Sequence, residues 1–376
     1  MINSAEDEHL WSETYDRELK DVFEIQSDIS ERVADALKVE LLSEEKKRLD
    51  SPPTSNIEAY TLYLKGRYYW NERTKEGIDK AILYFMECIK RDPNYSRAYS
   101  GLADCYSIME NWGYMSPGDA SEKVKIYALK ALELDDTLAE AHASLAVILM
   151  NHERNWDGAE REYKRAIELN PNYASAHHWY GHALLGTQGR YEEAIYELTE
   201  AKKLDPLSLI IASNLGDVLL SAGRYKEAED HYRSVLETSP SFAYAHSRLG
   251  LALLQQSRHD EAITEIEKSK SLDKDIDVST PDLVYAYMIS GREVDAEKLL
   301  AELEIKSTQK YVPNVMLALA NAAVGKKDRA IEWLRKAAAE RSNQLTTNLI
   351  EPEFDELRSD PRFQDLLRLI GLRRES

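Results

Sequence analysis

The sequence predicts an all-α fold, a right-handed α-solenoid of about eight stacked helix pairs. It would be flanked by a short N-terminal strand-helix remnant and a C-terminal capping helix. Three observations carry this expectation. Pro93, Pro171, Pro206 and Pro240 close one recurring phrase (IKRDP, IELNP, KKLDP, LETSP), with 35 and then 34 residues between the last three. A small residue precedes them in register at Ala81, Ala159 and Ala194, and Ala228, Ala262, Ala296 and Ala330 recur every 34 residues. Finally, 376 residues at 43% hydrophobic exceed what one compact core holds, so the chain is either multidomain or an elongated array.

The N-terminal part reads as residues 1–50 followed by a linker, 51–58 (SPPTSN and its flank). EHLWSETYDREL alternates apolar and polar residues, the period of a strand, and a helix is expected over about 22–42. One strand and one helix make no sheet domain, so this reads as the remnant of an α/β domain. An orphan strand at 9–16 would fray or pair with a second copy of the chain.

The array is expected over 59–343, in units 59–95, 96–138, 139–173, 174–208, 209–242, 243–276, 277–310 and 311–343. The first helix of a unit carries a large residue, then Gly or Ala, as in Tyr180-Gly181, Leu215-Gly216 and Leu249-Gly250. The turn reads Gly-Arg-Tyr at 189–191 and 223–225, where glycine supplies a left-handed C-cap. The second helix is amphipathic around the small residue, and proline stops it. The stretch 111–119 (NWGYMSPGD) is an insertion in the second unit. Residues 344–376 leave the period: Asp360-Pro361 starts a short helix ending at Gly371, read as a polar cap on the array.

Period and residue pattern resemble the tetratricopeptide-repeat (TPR) family over about three-quarters of the chain. The N-terminal phrase and FDELRSDPRFQDLLRLIGL are similar to the C-terminal halves of bacterial multidomain regulators of the nucleotide cyclase and winged-helix types. The resemblance implies a non-catalytic scaffold that binds a peptide or partner domain in a concave groove. Its alternative is a sensory module controlling an attached or associated effector.

Charge and motifs narrow the function classes. The net charge is −19, with −9 in residues 1–58, which argues against nucleic acid as partner because phosphate neutralisation needs clustered Lys and Arg. No run of 18 apolar residues and no signal-peptide pattern exists, so no membrane partner and a cytoplasmic location are expected. There is no phosphate loop, no G-x-S-x-G, C-x-x-C or H-E-x-x-H, so neither an enzyme nor a cofactor is expected. His178 and His182 share a helical face at metal-ligand spacing, but a third ligand is not assured, and polar groove positions are the simpler reading. His142 and His246 read as core, as do Tyr163, Tyr180, Tyr232 and Trp333, and Cys88 and Cys105 read as buried inert thiols.

In a repeat array, ligands lie on the face lined by the first helices. By register that face holds Tyr63, Arg67 and Trp70, then Ser100 and Asp104, then Val147, Met150 and Asn151. It continues through His178 and His182, Asn214 and Asp217, and Tyr244, Ser247 and Leu251. These residues fit a mixed apolar and polar peptide, with Arg67 as the main cation.

Overall fold

The computed structural model describes residues 2–3, 8–9, 54–272 and 279–372. The strand expected at 9–16, the helix at 22–42 and the self-pairing they suggest fall outside the described residues, except for His9. That residue belongs to a two-residue strand, β2 (Glu8–His9), antiparallel to β1 (Ile2–Asn3).

From Ile57 onward the fold is all-α, and the described residues form eight helix pairs. The first pair is α1 (Ile57–Asn71) and α2 (Lys75–Arg91), and the second is α3 (Ser96–Asn111) and α4 (Pro117–Leu134). Then come α5 (Ala139–Asn151) with α6 (Trp156–Leu169), and α7 (Ala174–Trp179) with α8 (Tyr191–Leu204). A π-helical stretch, Tyr180–Gly186, prolongs α7. The series runs on through α9 (Leu209–Ser221) and α10 (Tyr225–Thr238), then α11 (Ala243–Leu254) and α12 (His259–Leu272). It closes with α13 (Thr280–Ile289) and α14 (Glu293–Ser307), then α15 (Asn314–Ala323) and α16 (Lys327–Ala339). After them stand a short helix α17 (Asn343–Asn348), a 3₁₀ turn (Pro352–Leu357) and α18 (Pro361–Leu369). Array helicity begins at Ile57 because the Asn56 side chain caps it, accepting from the Ala59 N–H at 3.0 Å.

The chain divides into two compact units, residues 1–101 and 102–376. In the first, Phe85 fills the groove between pairs because Gly66 and Gly101 lie against its ring. A Cβ on either would come within 2.5–2.6 Å of it. In the second, Gly216 meets Tyr232 and Gly250 meets Ile266 in the same way. The periodic alanines 81, 159, 194, 228, 262, 296 and 330 are all fully buried. The period therefore records where one helix must touch the next without a side chain between them.

The turn inside a pair is equally regular. The residue entering it has positive φ at Gly189, Gly223, Gly291 and Gly325, and at the non-glycine residues Arg73, Arg154 and Ser257. An arginine follows in four pairs, and three of these bind back to the preceding pair: Arg190 to Glu160, Arg224 to Glu192 and Arg258 to Glu229. Each of those three also pairs with a glutamate three residues on.

A second recurrent device uses histidine. His142, His177 and His246 each place Nδ1 2.5–2.6 Å from a second-helix glutamate (Glu162, Glu197, Glu265). Each places Nε2 2.9–3.0 Å from the carbonyl of Asp136, Pro171 or Pro240 in the turn before it. Both partners are acceptors, so the His177 clasp calls for an imidazolium with two N–H donors. For His177, burial would lower the pKa, but Glu197 and the Pro171 carbonyl hold it above the usual histidine value.

Within the second unit, the end of the chain returns to the beginning. Trp156 Nε1 donates to the Ile370 carbonyl (2.9 Å), and Arg154 donates to the carbonyls of Leu369 (3.1 Å) and Ala338 (2.5 Å). Arg341 donates to the His152 carbonyl. The insertion at 111–119 joins this closure: Gly113 (φ 73°) lies so near Pro313 that a Cβ would sit 2.9 Å from its ring.

Candidate functional site

The first helices of the second unit form an inner layer buried on both sides. Residues 211–220 of α9 and 245–254 of α11 are buried throughout, whereas the second helices expose one face. One side of that layer rests on the second helices. The other carries several of the polar residues singled out in sequence, and those of α7 with its π-helical extension, of α9, and Tyr244 of α11 gather at the carboxylate of Asp217.

Asp217 Oδ1 accepts from Tyr232 OH (2.7 Å) and Arg248 Nε (2.9 Å). Its Oδ2 accepts from Tyr244 OH (2.6 Å) and Asn214 Nδ2 (2.7 Å). His178 Nε2 donates to Asn214 Oδ1 (2.7 Å), and His182 Nε2 stands 3.7 Å from Asp217 Oδ2. Burial would raise the Asp217 pKa. The Arg248 guanidinium, His182 and the two phenols overcome it and hold the carboxyl below its usual range. The same burial keeps His182 below the usual histidine value despite Asp217. Four of the predicted groove residues, His178, Asn214, Asp217 and Tyr244, are thus links of one network, with His182 beside it.

The face is covered, and the cover is the chain's own C-terminal stretch. Thr346 Oγ1 donates to Asn151 Oδ1 (3.0 Å), and Gln344 donates to the Asn111 carbonyl. Arg248 forms a two-pronged pair with Glu351, Nη1–Oε1 at 3.1 Å and Nη2–Oε2 at 3.3 Å. Leu345, Leu349, Phe354 and Leu357 are all buried in the unit's main core. The sequence reads 344–376 as an end cap. α18 does pack on α16, but residues 343–357 reach back over the first helices.

Arg248 was absent from the residues singled out in sequence, although it follows Tyr244 and Ser247 on the same helix. It is the cation at the centre of the site. Four carboxyls surround it: the buried Asp217, Asp282 and Glu353, and Glu351, whose side chain is 12% exposed. Asp282 Oδ2 accepts from Ser247 Oγ at 2.6 Å. Glu353 stands within hydrogen-bond reach of the Asp282 carboxyl, so the two buried groups face each other as a carboxyl pair. One arginine cannot neutralise four carboxylates in a dry interior. Burial, reinforced by Asp282 and Asp217 and opposed by Arg248, pushes Glu351 up to about 6. Burial raises Asp282 as well, and raises Glu353 far above the usual carboxylate range.

The remaining predicted residues lie apart from this network. Asp104 is buried and accepts from Ser144 Oγ at 2.9 Å. In the first unit, the Arg67 guanidinium lies 4.1 Å from the centre of the buried Trp70 ring, and Arg73 lies 3.6 Å from it. Tyr63 packs against Phe85 and Tyr95. Cys88 and Cys105 are fully buried, and burial pushes the Cys88 thiol up to about 12. Trp333 is half-buried under Lys336, 3.9 Å from its ring. No group of three or more metal-ligating side chains occurs among the described residues, and none of their helices is long and apolar enough to cross a membrane.

The tetratricopeptide-repeat family model matches residues 138–208 and 213–273. The transcriptional regulator HilA of Salmonella typhimurium is 32% identical over 152 residues, covering 40% of this chain and 27% of HilA. A putative adenylate cyclase 3 of Rhizobium meliloti is 30% identical over 151 residues, 40% of this chain and 26% of that protein. The chain therefore spans about a quarter of the length of these two relatives. The type IV pilus assembly protein PilF of Pseudomonas aeruginosa is 35% identical over 135 residues, 35% of this chain and 52% of PilF. Among solved structures, yeast Tom70 aligns with a TM-score of 0.48 at 16% identity, covering 83% of this chain and 67% of Tom70.

Proposed function

We propose that this tetratricopeptide-repeat protein is a non-catalytic interaction scaffold, and that its second unit holds a peptide on the face lined by the first helices. The single observation that carries the reading is that this face already holds one. Residues 343–357 lie on it as a peptide ligand would, through apolar anchors and a two-pronged Arg248–Glu351 pair. The Asp217 network supports a binding role more than a catalytic one. Tyr232, Tyr244, Asn214 and Arg248 Nε spend their donors on a carboxylate held ionised, which suits holding a surface in shape rather than moving a proton.

A peptide-display library panned against the full chain tests the reading. Enriched peptides should lose at least tenfold in affinity for His182→Glu. They should keep it for Val294→Glu, on a residue that is 83% exposed on α14. Failure of any peptide to enrich, or equal weakening by both substitutions, rejects it.

A second reading is favoured by the relatives. Similarity to stretches of HilA and of the putative adenylate cyclase supports a regulatory module that controls an effector. Reading the coding DNA upstream of Met1 in frame tests it. An open frame into an effector domain supports this reading, and a stop codon directs the search to an effector encoded separately.

A further inference from the structure

We infer that residues 343–357 are an exchangeable ligand of the groove, and that the partner they give way to is a short acidic, apolar peptide that offers a carboxylate to Arg248. The inference deepens the scaffold reading and rests on it.

The geometry supports exchange in three ways. The covering stretch has little structure of its own: a six-residue helix and a six-residue 3₁₀ turn that a proline opens. Segments this short do not hold a helix unaided, so their shape depends on the surface beneath. Next, the match between stretch and groove is electrostatically incomplete. Arg248 faces Asp217 from α9, Asp282 from α13 and both Glu351 and Glu353 from the stretch, with His182 beside Asp217. Glu353 is buried against the Asp282 carboxyl, a like-charged pairing that a stretch serving only as core would escape by carrying an apolar residue there. Lastly, the groove keeps its own polar order beneath the cover. Tyr232, Tyr244 and Asn214 hold Asp217, and Asp217 holds Arg248 by Nε, so both Nη atoms face the incoming carboxylate. A site preorganised in this way recognises a carboxylate whether it arrives from the same chain or from another.

The ligand chemistry follows from the stretch itself. It places Leu345 and Leu349 one helical turn apart, then Glu351, then Phe354. A partner that displaces it presents two aliphatic side chains on a helical turn, a glutamate or aspartate shortly after, and an aromatic residue beyond.

The test uses the full chain and a fluorescein-labelled synthetic peptide of residues 342–358. Binding is read by anisotropy, and hydrogen exchange is followed at the amides of 343–357. The Glu351→Gln chain, whose own stretch has lost its charge on Arg248, should bind the peptide at least tenfold tighter than the wild-type chain. A peptide carrying the same Glu351→Gln change should bind that chain at least tenfold more weakly. Equal binding of the peptide to both chains overturns the inference. If the Glu351→Gln chain binds no peptide while its 343–357 amides exchange freely, the groove takes no peptide, and the scaffold reading falls too. If it binds none and those amides stay as protected as those of α9 and α11, the stretch is permanent core. The exchange inference then fails alone, and the display experiment still decides the scaffold reading.

Discussion

Arg248 and Glu351 lie 103 residues apart in sequence and meet through two parallel N–H to oxygen contacts of 3.1 and 3.3 Å. The same guanidinium binds Asp217 through its third nitrogen. It therefore ties the C-terminal stretch directly to Asp217 and the polar network around it.

Removing that cation should cost more than removing its partner. Arg248→Met strands Asp217 and Glu351 as buried carboxylates, a change of about 3–5 kcal/mol in urea unfolding. Glu351→Gln keeps the shape of the pair and leaves Arg248 on Asp217, so its cost should stay below about 2 kcal/mol. A cycle with both changes should show strong coupling; additive losses would mean that the pair does not act as a unit.

Docking of 343–357 should weaken as pH rises. Glu351, Asp282 and Glu353 all titrate above their usual values when buried together, so the docked form binds more protons than the released form. Stability is then lost with increasing pH, from the ordinary carboxylate value of about 4.3 through the value of about 6 reached by Glu351. Arg248 opposes this where it faces the same carboxyls, and Asp217 runs the other way only below its usual range. Amides of 343–357 should be better protected at pH 5.5 than at pH 8 after correction for intrinsic exchange. Glu353→Gln should flatten the difference.

The histidine clasp has a matching sign. His177 has a raised pKa in the folded state, so its contribution is complete below about 6.5 and fades as pH climbs through the folded value. His177→Gln should reduce the melting temperature at pH 6 more than at pH 8.5. An equal loss at both would mean that the ring is held neutral.

Close approach sets the next expectation. Gly66→Ala drives a Cβ to 2.5 Å from the Phe85 ring, and Gly216→Ala drives one to 2.6 Å from Tyr232. Each should destabilise by about 1–3 kcal/mol through overpacking. Ser257→Gly should instead stabilise by about 0.5–1 kcal/mol, because it relieves a left-handed φ of 60° that glycine fills in four sister turns. Chemical denaturation of the three variants checks both signs.

The array was legible in sequence because its contacts are short-range and recur. Ala228, Ala262, Ala296 and Ala330 mark the same helix crossing each time, and repetition turns one weak preference into a period. Of the two histidines read as core, His246 is buried and His142 is half-buried, and both are held by second-helix glutamates. Their glutamate partners, 20 and 19 residues on, were not foreseen, because acidic residues are common on every second helix. The position of 343–357 left no such trace. Its side-chain bonds to Arg248, Asn151 and Asn111 span 103 to 233 residues and occur once, so no period encodes them. One signal was available: Leu345, Leu349, Phe354 and Leu357 are apolar residues outside the repeat, and they needed a surface to cover them. Arg248 was overlooked for a related reason, since its role exists only once that stretch is in place.

The bond from Trp156 to the Ile370 carbonyl spans 214 residues, and its consequence is kinetic. A stack in which each pair touches only its neighbours can unzip from either end, one pair at a time. Here the last turn is fastened to the third pair, so peeling from the C-terminus must first break the Trp156 and Arg154 bonds. The second unit should accordingly melt as a single cooperative block. It should also refold more slowly than an open array of equal size, since that loop must close before its contacts reward it.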